Sequence, residues 1–285
     1  MHNDDDHDLE NLPRDIETLL RAGLQRRRIL RWALGASALP LIGCGSSGET
    51  INGDGTGAAS GTGGASGTGG TGATDESCTR IPEETAGPYP GDGSNGPNVL
   101  NQTGIVRSDI RASFGSLTGA AAGVPLTVTL NLVGGSGCGS LAGYTVYLWH
   151  CDREGRYSLY SAGATDQNYL RGVQEADASG SLTFTTIFPG CYAGRWPHIH
   201  FEVYKSLAAA GAVGNKVATS QLAMPQATCA DAYKTAGYES SVTNLSMVSL
   251  TSDMVFSDGA TAQLPAITGD ATSGYAATLR VPVPT

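Results

Sequence analysis

Alternation of apolar and polar residues is the feature that most limits what this chain can fold into. From Leu126 to Leu132 every second residue is Leu or Val, and Thr or Asn stands between them. Because successive side chains of a strand point to opposite faces, this pattern predicts a strand with one buried face. The runs 144–150, 182–187 and 279–283 behave similarly and are separated by clusters of Gly, Ser, Asp and Pro.

Helical periodicity is confined to two short stretches, residues 206–212 and 227–236. Many short strands with turn signals between them, and few helices, are typical of sandwiches and barrels. The sequence therefore predicts an all-β fold with a β-sandwich core and few short helices.

The distribution of glycine divides the chain into parts. Residues 45–77 hold 12 of the 40 glycines, among Ser, Thr and Ala. Such a composition cannot form a core and is typical of a flexible linker. The remainder, residues 78–285, has the length of one β-rich domain.

Residues 1–44 predict an export signal rather than part of that domain. Clustered arginines precede a short apolar run, RRRILRWALGASALPLIGC. Arg26 and Arg27 resemble a twin-arginine signal, and Leu41 to Cys44 resembles a lipoprotein cleavage box with Cys44 as the lipidated residue. The run is too short to span a membrane as a helix. We therefore expect an exported, extracytoplasmic protein anchored to the membrane by lipid on Cys44. A buried core helix is the alternative for this segment.

Charge excludes one class of partner. The whole chain has a formal net charge of −9, and 15 acidic against 11 basic side chains leave residues 78–285 near −4. Because a nucleic-acid-binding protein needs a basic face, we expect no nucleic-acid partner.

The cysteines other than Cys44 are odd in number, and none of their spacings is Cys-x-x-Cys. Export favours disulfides, so we expect pairing with at least one thiol left over or paired between molecules. The spacings argue against a zinc–thiolate site. These cysteines are Cys78, Cys138, Cys151, Cys191 and Cys229.

Two histidines stand one residue apart in a predicted strand, GRWPHIHFEVY, residues 194–204. The apolar alternate residues of this strand form a core face, which leaves His198 and His200 together on the other face. Two imidazoles aimed at one point suit a metal ion. The alternative is a pair of histidines on a solvated or hydrogen-bonded face.

The remaining ligands must come from other residue types. A cupin-like site needs a further histidine downstream, and none follows His200. Tyr192 stands six residues before His198. Phenolate is a hard, anionic ligand, so a tyrosine ligand favours ferric iron over zinc or copper.

Several blocks of the sequence, taken in order, resemble the intradiol ring-cleavage dioxygenase family, which includes catechol and protocatechuate 3,4-dioxygenases. The two strongest are WHCDREGRY at 149–157 and FPGCYAGRWPHIH at 188–200. Further blocks, which resemble exported members especially, are ETAGPYPG at 84–91, GIVRSDIR at 104–111, YLRGVQ at 169–174 and TSQLAMP at 219–225. The resemblance spans nearly all of residues 78–285 and implies a β-sandwich fold.

The resemblance also implies a site with Fe(III) as its cofactor. Carried over residue by residue, its metal ligands are Tyr157, Tyr192, His198 and His200. Arg195 matches the active-site arginine of the family and Gln221 matches a glutamine of the pocket, and both are expected to be catalytic. The nearby Tyr160 and Tyr169 are interpreted as packing residues.

The implied reaction is cleavage of a catechol-type aromatic diol by O2 to a cis,cis-muconate-type diacid. Tyr192 is expected to leave the metal and act as a base when the diol binds, and Arg195 to stabilise negative charge on the ring. The block at 84–91 has Ala86 where related blocks often have Glu. Ala223 and Met224 replace the commoner aromatic residues, which affects the expected shape of the pocket.

Two other functions are compatible with an exported sandwich domain. One is a surface-tethered binding module without catalysis, which would leave the histidine pair, Arg195 and the tyrosines without a role. The other is an iron-binding relative that acts on something other than a catechol. The chain lacks an obvious helical dimerisation segment like that of catechol dioxygenases, and the sequence leaves the oligomeric state open.

Overall fold

The strongest alternating run becomes strand β1, Pro125–Gly134, whose even-numbered residues from Leu126 to Leu132 are buried. The structure is a computed structural model that describes residues 78–135 and 137–285. The predicted export signal, Cys44 within it and the linker at 45–77 lie outside the described residues. The other strands are β2 (Thr145–Trp149), β3 (Arg171–Glu175), β4 (Ser181–Ile187), β5 (His198–Tyr204), β6 (Lys216–Ala223), β7 (Ala266–Asp270) and β8 (Gly274–Val283).

These strands form two four-stranded sheets, in the orders β4-β1-β8-β7 and β3-β2-β5-β6. Neighbours pair antiparallel except β1 and β8, which are parallel. The main hydrophobic core contains apolar side chains from both sheets, among them Leu130, Phe184 and Phe201. The predicted all-β sandwich is confirmed.

The second sheet is covered on both faces. All seven residues of β5 are buried. Ile199, Phe201 and Val203 belong to the main core, as the sequence predicts. The opposite face carries His198 and His200, and it lies beneath connecting segments that contribute a second apolar cluster. The histidine pair is therefore removed from solvent.

Helical structure is sparse, with two short α-helices in the described residues, α1 (Gln226–Ala232) and α2 (Glu239–Ser246). Helix α1 confirms the prediction for 227–236, although it ends earlier, and α2 was not predicted. The helix predicted over 206–212 is wrong: only a 3-10 turn, Leu207–Ala209, forms there. Gly211 follows this turn, and glycine disfavours continuation of a helix by about 1 kcal/mol relative to alanine.

One disulfide joins Cys78 to Cys138, with 5.6 Å between their Cα atoms. Cys151, Cys191 and Cys229 are buried free thiols. The described residues thus contain three free thiols, which agrees with the expectation of at least one. Within the described part of the chain, none of the helices is long and apolar enough to cross a membrane.

Candidate metal centre

His198 and His200 face each other at the start of β5. Their Nε2 atoms lie 3.0 Å apart, and both side chains are almost fully buried. His198 Nδ1 lies 2.5 Å from the carbonyl oxygen of Trp196. Because a carbonyl oxygen can only accept, Nδ1 carries the proton, which leaves a lone pair on Nε2 of His198.

Two tyrosine hydroxyls converge on the same nitrogen. Tyr157 Oη lies 3.3 Å from His198 Nε2, and Tyr192 Oη lies 3.4 Å from it. The rings of Tyr157 and Tyr192 meet edge to face. The structure therefore brings together all four residues that the family resemblance predicts as metal ligands.

Spacing and chemistry of the four atoms fit a metal ion. Metal bonds of about 2.0–2.1 Å to neighbouring donors put those donors about 2.9–3.4 Å apart at angles of about 90–110°. The distances from His198 Nε2 to its three neighbours are 3.0, 3.3 and 3.4 Å. The described residues include no group of three or more His, Cys, Asp or Glu that could hold a metal ion. A metal at this place would therefore depend on the tyrosine oxygens.

The protonation of the four groups follows from their burial. Burial raises the pKa of Tyr157 well above its usual value, and the neighbouring Tyr192 raises it further. Burial also raises the pKa of Tyr192 to about 12, although the charge of Arg195 opposes this. Burial lowers the pKa of His198 and of His200 far below the usual range. At neutral pH the isolated site thus holds two phenols and two neutral imidazoles, so phenolates require a bound cation.

Tyr157 is held at the end of a tight turn organised by Asp152. The backbone N–H groups of Glu154 and Arg156 donate to Oδ1 of Asp152, at 3.0 and 2.9 Å. Tyr169 donates its hydroxyl to Oδ2 of the same carboxylate at 3.0 Å. The interpretation of Tyr169 as a residue outside the donor set is consistent with this contact. The turn therefore fixes the position of the Tyr157 backbone.

Glycines let the two tyrosine-bearing segments approach each other. A Cβ atom at Gly190 would lie 2.7 Å from the carbonyl oxygens of Asp152 and Arg153, so only glycine fits there. Gly155 has a φ of +84°, and a Cβ on it would lie 3.0 Å from Cβ of Tyr192. Both glycines belong to the sequence blocks that carry the family resemblance, and their packing brings Tyr157 and Tyr192 together.

One wall of the site comes from the block at 84–91. Gly87 has a φ of +70°, and a Cβ atom on it would lie 3.3 Å from Cε1 of His200. The Tyr89 ring packs against that of Tyr157, with 5.0 Å between ring centroids. Ala86, the departure noted in the sequence, belongs to the same apolar cluster. This segment therefore closes over the histidine pair.

Arg195 and Gln221 are also brought to the site. Gln221 pairs with His200 across β5 and β6, so its backbone lies directly beside a predicted ligand. Arg195 Nη2 donates to Gln221 Oε1 at 2.6 Å, and Gln221 Nε2 donates to the carbonyl of Thr85 at 2.8 Å. Burial alone would lower the pKa of Arg195, but Tyr192 and Asp253 raise it, so the guanidinium is charged.

Two residues of this region were not predicted. Asp253 accepts a hydrogen bond from Arg195 Nε at 2.9 Å. Trp149 packs its ring flat against the imidazole of His200. Trp149 is the first residue of the block at 149–157. Pairing of β2 with β5 places it opposite His200, which could have been inferred from the sequence. No local pattern connects Asp253 with Arg195, which precedes it by 58 residues.

Comparison with known proteins bears on the family and the fold. Residues 95–224 match the model of a protein family described as Dioxygenase. The solved structure of an intradiol ring-cleavage dioxygenase from Tetranychus urticae is 26% identical, with a TM-score of 0.58. The match covers 73% of this chain and 95% of that chain. No curated protein matches the chain in sequence.

Two further solved structures are similar. A second dioxygenase crystal structure is 26% identical, with a TM-score of 0.57 and coverage of 73% of this chain and 95% of its own. The dioxygenase domain of a carbohydrate-binding fusion protein from Streptomyces sp. SirexAA-E is 25% identical. Its TM-score is 0.47, and the match covers 72% of this chain and 99% of that domain.

The chain therefore has the fold of the intradiol ring-cleavage dioxygenases and, over residues 95–224, the sequence pattern of the Dioxygenase family. The family resemblance drawn from the sequence is confirmed at this level.

Proposed function

We propose that residues 78–285 form a non-haem Fe(III) intradiol dioxygenase, which cleaves a catechol-type diol with O2 to a cis,cis-muconate-type diacid. One observation carries the proposal. Two tyrosine oxygens and the Nε2 atom of His200 lie 3.0–3.4 Å from His198 Nε2. A binding module has no use for this arrangement.

The donor set favours ferric iron over other metals. Phenolate oxygens are hard and anionic, whereas imidazole binds many transition metals. Tyr157, Tyr192, His198 and His200 would hold the metal, and two phenolates would offset two of its three charges. When bound there, Fe(III) would supply the Lewis-acid and redox chemistry that makes an aromatic diol reactive toward O2.

Tyr192 is the donor best suited to exchange with the substrate. Tyr157 is 2% exposed, whereas Tyr192 is only partly buried. The pKa of Tyr192, about 12, makes its oxygen a strong base once it is released as phenolate. Tyr192 Oη would therefore accept a proton from the diol, while Tyr157 and the histidines stay in place.

Arg195 provides a fixed positive charge beside the tyrosines. Its charge acts on both Tyr192 and Tyr157. The side chain is buried and held by hydrogen bonds, so it requires no rearrangement when negative charge develops on the ring. Such preorganised charge typically contributes a factor of about 10²–10³ to the rate.

The surroundings limit access of water to the histidine pair. Trp149 covers His200 on one side, and Phe256 meets His198 edge to face with 6.4 Å between ring centroids. Tyr89 packs against Tyr157. This apolar lining strengthens electrostatic interactions inside the site and suits an aromatic substrate.

A visible absorption spectrum tests the site before any turnover is measured. Phenolate bound to Fe(III) absorbs visible light by charge transfer, so the iron-loaded protein should be red-brown without substrate. Tyr157→Phe and Tyr192→Phe should each weaken and shift the band, and Tyr192→Phe should retain more diol binding. Tyr160→Phe is the matched control, since Tyr160 bonds to Asn95 and Gly91 outside the donor cluster. A colourless iron-replete protein would falsify the tyrosinate site and favour a binding module.

Oxygen uptake then tests the reaction. Catechol, protocatechuate and hydroxyquinol should be supplied in turn, with the ring-opened product identified by mass. Incorporation of both atoms of ¹⁸O2 into a diacid is the expected result. A coloured protein that consumes no oxygen with any diol would instead indicate an iron-binding relative with a different substrate.

For location, we propose export by the twin-arginine route and a lipid anchor on Cys44. The basis is the arginine pair and the cleavage box in residues 1–44. Replacing Arg26 and Arg27 by Lys should leave the precursor in the cytoplasm, and Cys44→Ala should release the exported protein from the membrane fraction. Normal export of the Arg26→Lys, Arg27→Lys variant would contradict the route.

A further inference from the structure

Asp253 is a fully buried carboxylate next to the predicted catalytic arginine. It lies between α2 and a 3-10 turn, Phe256–Asp258. None of its surface is exposed, and the side chain of Arg195 is 9% exposed. The nearest charged atoms of the two residues, Arg195 Nε and Asp253 Oδ2, are 2.9 Å apart.

Each oxygen of this carboxylate is occupied by two N–H donors. Oδ2 accepts from Arg195 Nε at 2.9 Å and from the backbone N–H of Trp196 at 2.7 Å. Oδ1 accepts from the backbone N–H groups of Val255 and Phe256, at 2.8 and 3.1 Å. Asp253 therefore cannot rotate without breaking bonds to both its own turn and the segment that carries Arg195.

The guanidinium of Arg195 is held along two of its edges. Nε is bound by Asp253 and Nη2 by Gln221. No described residue hydrogen-bonds to Nη1. Because the guanidinium is planar, fixing two nitrogens fixes the direction of the third. Gln221 is the strand partner of His200, and the charge of Arg195 acts on Tyr192 and Tyr157, so the guanidinium lies beside the metal centre.

We infer that Asp253 is the positioning residue of Arg195: it orients the guanidinium so that the Nη1 edge faces negative charge developing on the bound diol. This inference rests on the proposed function. Asp253 touches neither the donor atoms nor the substrate space and acts only through Arg195. Asp253 also neutralises the buried positive charge of Arg195. Without this partner the Arg195 side chain would be unpaired and would change its orientation.

The role predicts non-additive effects on turnover. Arg195→Ala should lower kcat by about 10²–10³. Asp253→Asn places an N–H donor against the N–H groups that now bond to the carboxylate, and it should lower kcat by about 10–10² with a smaller change in KM. The double variant should be no slower than Arg195→Ala alone, because Asp253 then has nothing left to position. A double variant slower by the product of both effects would show a separate structural role.

A second substitution covers the case in which Asp253→Asn fails to fold. Arg195→Lys keeps the charge, but its three donors are on one nitrogen and cannot reproduce the spacing of Nε and Nη2, which bond to Asp253 and Gln221. We expect it to be nearly as slow as Arg195→Ala. Turnover within threefold of the unchanged protein would overturn the inference. Asp177→Asn, in an exposed turn before β4, is the control for an Asp-to-Asn change.

One measurement is independent of dioxygenase activity. In the full chain loaded with diamagnetic Ga(III) and ¹⁵N-arginine, the Nε–H signal absent from Arg195→Lys belongs to Arg195. It should exchange slowly with solvent in the unchanged protein and rapidly in Asp253→Asn. Slow exchange in Asp253→Asn would refute the positioning role. Failure of the unchanged protein to oxidise any diol would refute the proposed function but leave this test of Asp253 intact.

Discussion

The indole ring of Trp149 lies parallel to the imidazole ring of His200, with 4.9 Å between ring centroids and 4° between the planes. The two residues are direct partners in the pairing of β2 with β5. Nδ1 of His200 is buried and has no hydrogen-bond partner among the described residues. At the Nδ1 side of this ring, stacking on Trp149 takes the place of the hydrogen bond that His198 Nδ1 makes to Trp196.

Removing that stack should weaken metal binding. Trp149→Ala should lower iron affinity by about 10–100-fold, the range typical of losing a residue that orients a metal ligand. Trp149→Phe keeps an aromatic ring against His200 and should keep most of the iron affinity. Titration against a competing chelator measures both. Equal affinity in Trp149→Ala and the unchanged protein would show that β5 alone orients His200.

Acid should destabilise the iron-free protein through His150. Burial lowers the pKa of His150 to about 4, although a hydrogen bond to the carbonyl of Cys151 opposes this. In the unfolded chain the usual pKa is about 6.5, so protons bind the unfolded state preferentially between pH 6.5 and 4. Stability is therefore complete above pH 6.5 and falls as the pH drops, by roughly 3 kcal/mol for this group.

The variant His150→Gln isolates that contribution. The free energy of unfolding of this variant should be measured with denaturant at several pH values. Its slope against pH should be smaller than that of the unchanged protein by the contribution of one proton. His198 and His200 also have lowered pKa values, so the remaining slope stays positive. An identical slope in both proteins would mean that His150 does not contribute.

A buried cluster of charges should be destabilised by the loss of Lys216. Lys216 Nζ lies 2.8 Å from Glu202 Oε1 and 3.7 Å from Asp92 Oδ2, and both carboxylates are fully buried. Lys216→Met should lower the free energy of unfolding by about 3–5 kcal/mol, because it leaves buried charges without a partner. Adding Glu202→Gln should recover part of the loss. Lys234→Met, at a largely exposed pair with Asp231, is the control and should change little.

The three free cysteines should not react with thiol reagents in the folded protein. Burial raises the pKa of Cys191 to about 12 and raises those of Cys151 and Cys229. In the full chain with Cys44→Ala, a thiol reagent should modify no cysteine in the folded state and three after denaturation without a reductant. Modification of a cysteine in the native protein would contradict this.

The sequence predicts those features that depend on neighbours along the chain. Alternation predicts β1 and the face of β5 that bears His198 and His200, because a strand fixes which side chains point together. The tyrosine ligands follow only from the family resemblance, since Tyr157 reaches His198 through a turn whose direction depends on Asp152 and Gly190.

Contacts between distant segments could not be predicted in this way. Asp253 meets Arg195 only after the segment beyond α2 folds against the turn before β5. The wrong helix at 206–212 has a different cause. There the residues have adequate helical propensity, but a short isolated helix is marginal, and Gly211 follows its first turn.

The disulfide between Cys78 and Cys138 has a mechanical consequence. Cys138 lies in the connection from β1 to β2, which joins β2 at Thr145, whereas Trp149 and His200 meet at the opposite end of that strand. Tension applied to the chain before Cys78 is carried across the covalent bond into this connection. The segment that runs from Thr79 to Gly87, which covers His200, lies beyond the bond and bears none of the load. The disulfide therefore shields this covering segment from tension on the preceding chain, because the segment lies inside the covalently closed loop.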